Sequence, residues 1–434
     1  MTDSKTQAEL RAKYNPDGSG LKKQQTRPSK SLFRCIAESI DRVVCLIYRM
    51  TIPSKVKRLR KKEKIVVLFF LNDISKWKSE GLYLQMLEHE RFEPILGVTT
   101  GTAESPLAVA RKVYEAIAYL DRKKYEYVEL SERIDPQPDI VIYTEPYIFS
   151  VPIRYIIYRY FRKCLFICIH YTCHLSKSRL NYFPHVHRCA WIDCYESKLA
   201  IDEAYKIIGR KRKSLKHTGL PMADMLLSPA SGDPWKPQGR KKKRIIWAPH
   251  HSMGLNGEKI LYSNFLEIAE YMLALASEFE DDIQIAFKPH PVLRDKLNEI
   301  WGQKKTIGYY ECWENMENGQ LSEGSYADLF KHSDAMIHDC VSFIVEYQFM
   351  NKPVLFITKD IESLSVNLTE FGKKALFAQQ IAHDKADIRN FIVDVIVGRD
   401  EKSAERNAFL SDELLPPNGK SASQNIIDQI LVEK

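Results

Sequence analysis

Histidine, lysine and aspartate recur just after short apolar runs in the second half of the chain. Trp247-Ala248-Pro249-His250-His251-Ser252 closes one run, Lys288-Pro289-His290-Pro291 the next, and His338-Asp339-Cys340-Val341-Ser342 a third. If each run is a strand of one parallel sheet, His250, His251, Lys288, His290, His338, Asp339 and Ser342 reach one edge. Open α/β sheets bind ligands just beyond that edge. A lone histidine is usually structural, but histidines at several strand ends of one sheet point to function, above all His290 and His338. Cationic donors there suit a diphosphate. Ser342 reads as the cap of a helix running to about Met350, and the N–H groups and positive dipole of that N-terminus would form a phosphate cradle without a glycine-rich loop. The plainer reading of that segment is an ordinary α/β repeat with a serine cap.

In the first half, His170 leaves the end of the apolar run Leu165 to Ile169, where a general base would sit. His185, His187, Cys189 and Cys194 follow, but their spacing fits no standard zinc pattern. Strand alternation sends Cys164, Cys168 and His170 to one face and Ile167 and Ile169 to the other. No metal or other cofactor is expected. The chain has no Walker loop, no G-x-G-x-x-G and no G-x-S-x-G elbow.

The elements that must position these residues alternate along the chain. Strands are expected at Ile65–Leu71, Pro94–Val98, Asp139–Tyr143 and Leu165–Ile169, with helices at Gly81–His89, Leu107–Leu120 and Ile201–Ile208. A second series has strands at Arg244–Ala248, Ile283–Phe287, Ala335–Ile337 and Val354–Ile357, a helix at Ser263–Phe279, and a closing helix at Asn425–Val432. Ser228-Pro229, Gly232-Asp233-Pro234 and Lys236-Pro237 mark the best linker. The implied organisation is a polar leader, amphipathic helix and basic run over 1–64, then a Rossmann-like domain over 65–220. A linker over 221–243, a second Rossmann-like domain over 244–418 and a closing helix over 419–434 complete it. Such an α/β fold has two doubly wound parallel sheets facing across a cleft, where small ligands usually bind.

With 434 residues the chain exceeds one ordinary core, and its 44% apolar and 28% charged residues are those of a globular protein. The apolar run Ile65 to Leu71 is too short to cross a bilayer, and no signal peptide is visible in the polar start. Nine cysteines without C-x-x-C spacing read as reduced thiols. The net charge of +8 is concentrated in runs such as Lys55 to Lys64. No nucleic-acid-binding motif accompanies them. Leu32, Phe33, Ile36, Ile40, Val43, Val44 and Ile47 share one helical face just before that basic run, so Ser31–Lys64 is expected to lie on an anionic membrane surface. The alternative is a helix packed on the protein's own core with a solvated basic tail.

Several of these segments resemble the CDP-glycerol glycerophosphotransferase family, which makes teichoic-acid-type and capsular polymers. Asp334 to Ile357 resembles its late motif, an apolar strand running into Thr-Asp-Tyr-Ser-Ser, a helix, Lys-Pro and another strand. Lys288 to Pro291, Trp247-Ala248-Pro249, and Thr218-Gly219-Leu220-Pro221 through Asp224 are similar to further elements of the family. His170 stands where the family has the histidine of His-Gly-Thr-Pro-Leu-Lys, although the glycine and proline are replaced. The resemblance implies a GT-B architecture and transfer of a glycerol- or ribitol-phosphate group from a CDP-activated donor. The acceptor would be a glycan or lipid-linked, and CMP would leave. His170 and His290 would then be catalytic, and Lys288, His290, His338, Asp339, Ser342, Glu346, His250 and His251 would bind the donor, Glu346 at its ribose. The enzyme would be cytoplasmic, peripheral on the inner face of the membrane. A GT-B glycosyltransferase using a nucleotide sugar is the first alternative, and an inactive scaffold of the same fold is the second.

Overall fold

The computed structural model describes residues 32–99, 106–130, 137–144, 163–178, 181–253 and 262–432. The expected polar leader lies outside them. The chain forms two compact units. One holds the residues up to Tyr171, Ser178–Met222 and Pro416 onward, and the other holds Thr172–Lys177 and Ala223–Leu415.

The first unit is built on seven strands: β1 (Ile65–Leu71), β2 (Phe92–Val98), β3 (Tyr127–Glu129), β4 (Ile140–Tyr143), β5 (Leu165–Ile169), β6 (Ile192–Tyr195) and β7 (Leu215–His217). Their order is β3-β2-β1-β4-β5-β6-β7, and every pairing is parallel. β1, β4 and β5 are apolar throughout and wholly buried, as strands covered on both faces must be. Helices α1 (Leu32–Leu59), α2 (Glu80–Glu88), α3 (Pro106–Lys123), α4 (His185–Cys189) and α5 (Lys198–Ile208) accompany the sheet. After β7 the chain turns at Gly219, whose φ of +73° favours glycine and where an added Cβ would come within 3.0 Å of Pro416.

The second unit repeats the plan with β8 (Lys243–Ala248), β9 (Ile283–Phe287), β10 (Gly319–Leu321), β11 (Ala335–His338), β12 (Val354–Ile357) and β13 (Gln380–Ala382). Their order is β10-β9-β8-β11-β12-β13, again all parallel. Trp247, near the end of β8, is fully buried. It stacks on Phe265 of helix α6 (Phe265–Glu278) at 5.5 Å and lies 5.0 Å from Phe287 of β9. That aromatic core fixes where β8 and β9 end, and so where His250, His251 and His290 begin.

Three expectations change. α1 does not end before the basic run but continues through Pro53 to Leu59, so much of that run is helical. Lys55 in that run is buried, donates to the Cys164 carbonyl at 3.1 Å and sits 4.2 Å above the Tyr48 ring. The segment read as a linker opens with a helix, Pro221–Leu227, because proline at the first helical position gives up no needed hydrogen bond. Farther on, Trp235 is buried and its Nε1 donates to the Leu329 carbonyl. Finally, the helix after β11 is a single turn, α7 (Phe343–Glu346), followed by a 3-10 turn that ends at Asn351 with φ +52°.

Candidate active-site residues

Three imidazoles group at the carboxyl edge of the second sheet. The ring centroids of His250 and His251 are 4.3 Å apart, His251 and His290 are 4.2 Å apart, and His250 and His290 are 5.1 Å apart. Backbone hydrogen bonds set two of the tautomers. The Ser252 N–H donates to His250 Nδ1 at 3.1 Å, and the Val292 N–H donates to His290 Nδ1 at 3.2 Å. In a neutral ring that accepts at Nδ1, the proton sits on Nε2. His250 and His290 are therefore Nε2–H donors, suited to phosphate oxygens. Burial lowers the pKa of His290 to about 4, with His251 and Lys288 adding to the effect. The trio has ligand atoms within 4.8 Å of one another. With Nε2 protonated in two of the rings, anion binding fits better than metal ligation.

The other expected residues surround this trio in different roles. Lys288 is buried, donates to the Gly324 carbonyl at 2.9 Å and brings positive charge beside His290. Asp339 is buried and accepts from the N–H of His250 at 2.5 Å and of Asn264 at 2.7 Å. It ties the loop after β8 to the start of α6. Burial pushes its carboxyl up to about 7 against those hydrogen bonds.

His338 was expected at the ligand edge. β11 instead includes it, pairing it with Ala248 and Phe356, so its ring lies in the interior. Its nitrogens meet the Cys340 carbonyl at 3.0 Å and the Gln379 amide oxygen at 2.8 Å. Ser342 is helical and makes no side-chain cap bond. The Phe343 and Ile344 N–H groups already donate to the Cys340 and Val341 carbonyls, so the expected free N-terminus is closed by turn bonds. Glu346 is buried and accepts a hydrogen bond from the Tyr326 hydroxyl.

In the first unit His170 follows β5 directly and is buried. Its Nε2 lies 3.1 Å from His187 Nε2, and His187 Nδ1 lies 3.0 Å from the Asp193 carboxylate. Cys168 shares the His170 face, as alternation requires, and with His187 completes a group whose ligand atoms lie within 4.8 Å. Burial holds the Cys168 thiol well above its usual pKa, with Asp193 adding to the effect, and the two facing imidazole nitrogens are hydrogen-bonded to each other. Asp193 escaped the sequence reading. Its signal was available: a carboxylate alone inside the apolar run from Ile192 to Tyr195, where burial demands a partner.

Two sheets with the strand order of a dinucleotide-binding fold, each carrying polar side chains at or next to its carboxyl edge, define an α/β protein of the GT-B type. Solved structures show the same fold. Staphylococcus aureus MnaA, determined with UDP, is 16% identical with a TM-score of 0.53, covering 86% of this chain and 98% of its own. A putative UDP-N-acetylglucosamine 2-epimerase from Listeria monocytogenes is 16% identical with a TM-score of 0.54, covering 85% and 96%. A variant of the wall teichoic acid polymerase TagF soaked with CDPG is 14% identical with a TM-score of 0.52, covering 92% and 98%. No curated protein matches the chain significantly. Residues 195–432, more than half of the chain, match the CDP-Glycerol:Poly(glycerophosphate) glycerophosphotransferase family, and the chain belongs to that family. It is a glycerophosphotransferase-like transferase.

Proposed function

We propose that the chain moves a polyol phosphate, of the glycerol- or ribitol-phosphate type, from a CDP-activated donor to a glycan or lipid-linked acceptor in cell-surface polymer synthesis. The observation that carries this reading is the family match, which takes in the strand ends bearing His250, His251 and His290. Those imidazoles and Lys288 hold the donor diphosphate. An acceptor hydroxyl oxygen attacks the β-phosphorus, the P–O–P bridge breaks, CMP leaves with the bonding pair, and His170 takes the hydroxyl proton. Positioning and charge neutralisation carry most of such a transfer. Side-chain donors fill that role here, and the proposal includes no metal.

The same reading places the enzyme on the cytoplasmic face of an anionic membrane. Supporting it, Val43, Leu46, Ile47 and Met50 of α1 are exposed, alongside exposed Arg42, Arg49 and Lys57. Among the described residues no helix is long and apolar enough to cross a membrane.

The test incubates the purified chain with a membrane extract and a panel of CDP-polyols and UDP-sugars, then chromatographs the nucleotides. CMP from a CDP-polyol is expected. Nucleoside diphosphate from a UDP-sugar, with no CMP, would instead make it a glycosyltransferase. No turnover together with no nucleotide binding by calorimetry would leave a scaffold.

A further inference from the structure

Behind His170 lies a buried polar chain that the transfer reaction as written above does not use. β5 and β6 are neighbours in register, with Cys168 opposite Asp193. α4 brings His187 over them. The His170 and His187 rings are stacked, with centroids 5.0 Å apart and planes at 20°. Relative exposures are 4% for His170, 1% for His187 and 0% for Asp193. The charged and titratable groups facing Asp193 are the Cys168 and Cys194 thiols, the Tyr195 hydroxyl and the Arg212 guanidinium. Arg212 is itself buried and interacts electrostatically with the Asp193 carboxylate.

We propose that His187 and Asp193 are positioning residues that set the tautomer of His170 and stabilise it once protonated. The inference rests on the reading of His170 as the base. Asp193 accepts the Nδ1–H of His187, which leaves His187 Nε2 as an acceptor. His187 Nε2 then accepts the Nε2–H of His170, and the lone pair of His170 sits on Nδ1. Nδ1 takes the proton from the acceptor hydroxyl. The imidazolium so formed keeps its Nε2–H on His187, and the Asp193 carboxylate behind stabilises the positive charge. The proton returns to water after product leaves. This is the arrangement by which a carboxylate orients a catalytic imidazole, with a second imidazole interposed.

The test compares Asp193→Asn, His187→Gln and His170→Ala for CMP release from CDP-glycerol with a membrane extract. Asp193→Asn and His187→Gln are expected to lower kcat by about 10²–10⁴-fold and to leave KM for CDP-glycerol nearly unchanged. The double variant should lose little more than either single one. Removing the anion lowers the pKa of His170, so the rise of kcat with pH should move to lower pH in Asp193→Asn. Loss of packing alone would not move it. If His170→Ala is inactive while Asp193→Asn keeps the wild-type kcat and pH profile, this inference fails and the base assignment stands. If His170→Ala keeps wild-type turnover, the base assignment itself fails, and this inference with it. Should the variants fold poorly, ¹⁵N-histidine NMR of the wild-type protein decides. His170 must carry its proton on Nε2, and a proton on Nδ1 would overturn the proposal.

Discussion

In the proposed donor site His290 is a neutral hydrogen-bond donor. Burial and the neighbouring His251 and Lys288 hold its pKa near 4, so at neutral pH it offers an N–H and not a charge. Losing one hydrogen bond to an ionised group costs about 1.5–3 kcal/mol, so His290→Ala should raise the Kd for CDP-glycerol roughly 10- to 150-fold by calorimetry. An unchanged Kd would remove His290 from the donor site. The same shift couples His290 to folding. Its folded pKa lies below the unfolded value of about 6.5, so its contribution is present above that pH and is lost as pH falls toward about 4. Melting curves between pH 7 and 4 should fall less steeply for His290→Gln than for the wild type. His250, His251 and His290 were legible because each follows an apolar strand. His338 was misplaced because the strand runs one residue further than its apolar residues indicate, and alternation turns that residue inward.

At the scale of elements, α1 packs on the protein's own core, the alternative weighed for it, and its membrane role stays a proposal. Tyr48 packs on Phe166 at 5.2 Å and donates to the Cys164 carbonyl at 3.1 Å, so the helix closes the first unit's core. The opposite side exposes Leu46, Ile47 and Met50. Deleting 1–64 would uncover the core, so surface substitutions are the cleaner test of membrane docking. Leu46→Glu with Met50→Glu should abolish sedimentation with vesicles containing anionic lipid while leaving the melting temperature nearly unchanged. Equal sedimentation of variant and wild type would defeat the membrane surface. Strands β1, β5 and β9, apolar apart from Gln284, were legible to the residue. β3, β7, β10 and β13 were not, since three residues with polar side chains among them carry no readable period. β6 was lost because Asp193 interrupts it, and the same interruption marks the polar chain behind His170.

At the scale of the whole molecule, both sheets share one strand order, and the family match covers the sheet that carries the histidine trio. His170 precedes the matched residues, so its role rests on its place after β5 and on its buried partners. The central claim is that the bond broken lies between the two phosphorus atoms of the donor. CDP-glycerol labelled with ³²P at the β-phosphorus tests it directly, using the purified chain and a membrane extract as the source of acceptor. The account predicts that the label passes to the acceptor and that the released nucleotide is unlabelled CMP. Label retained in a released nucleoside diphosphate would contradict it.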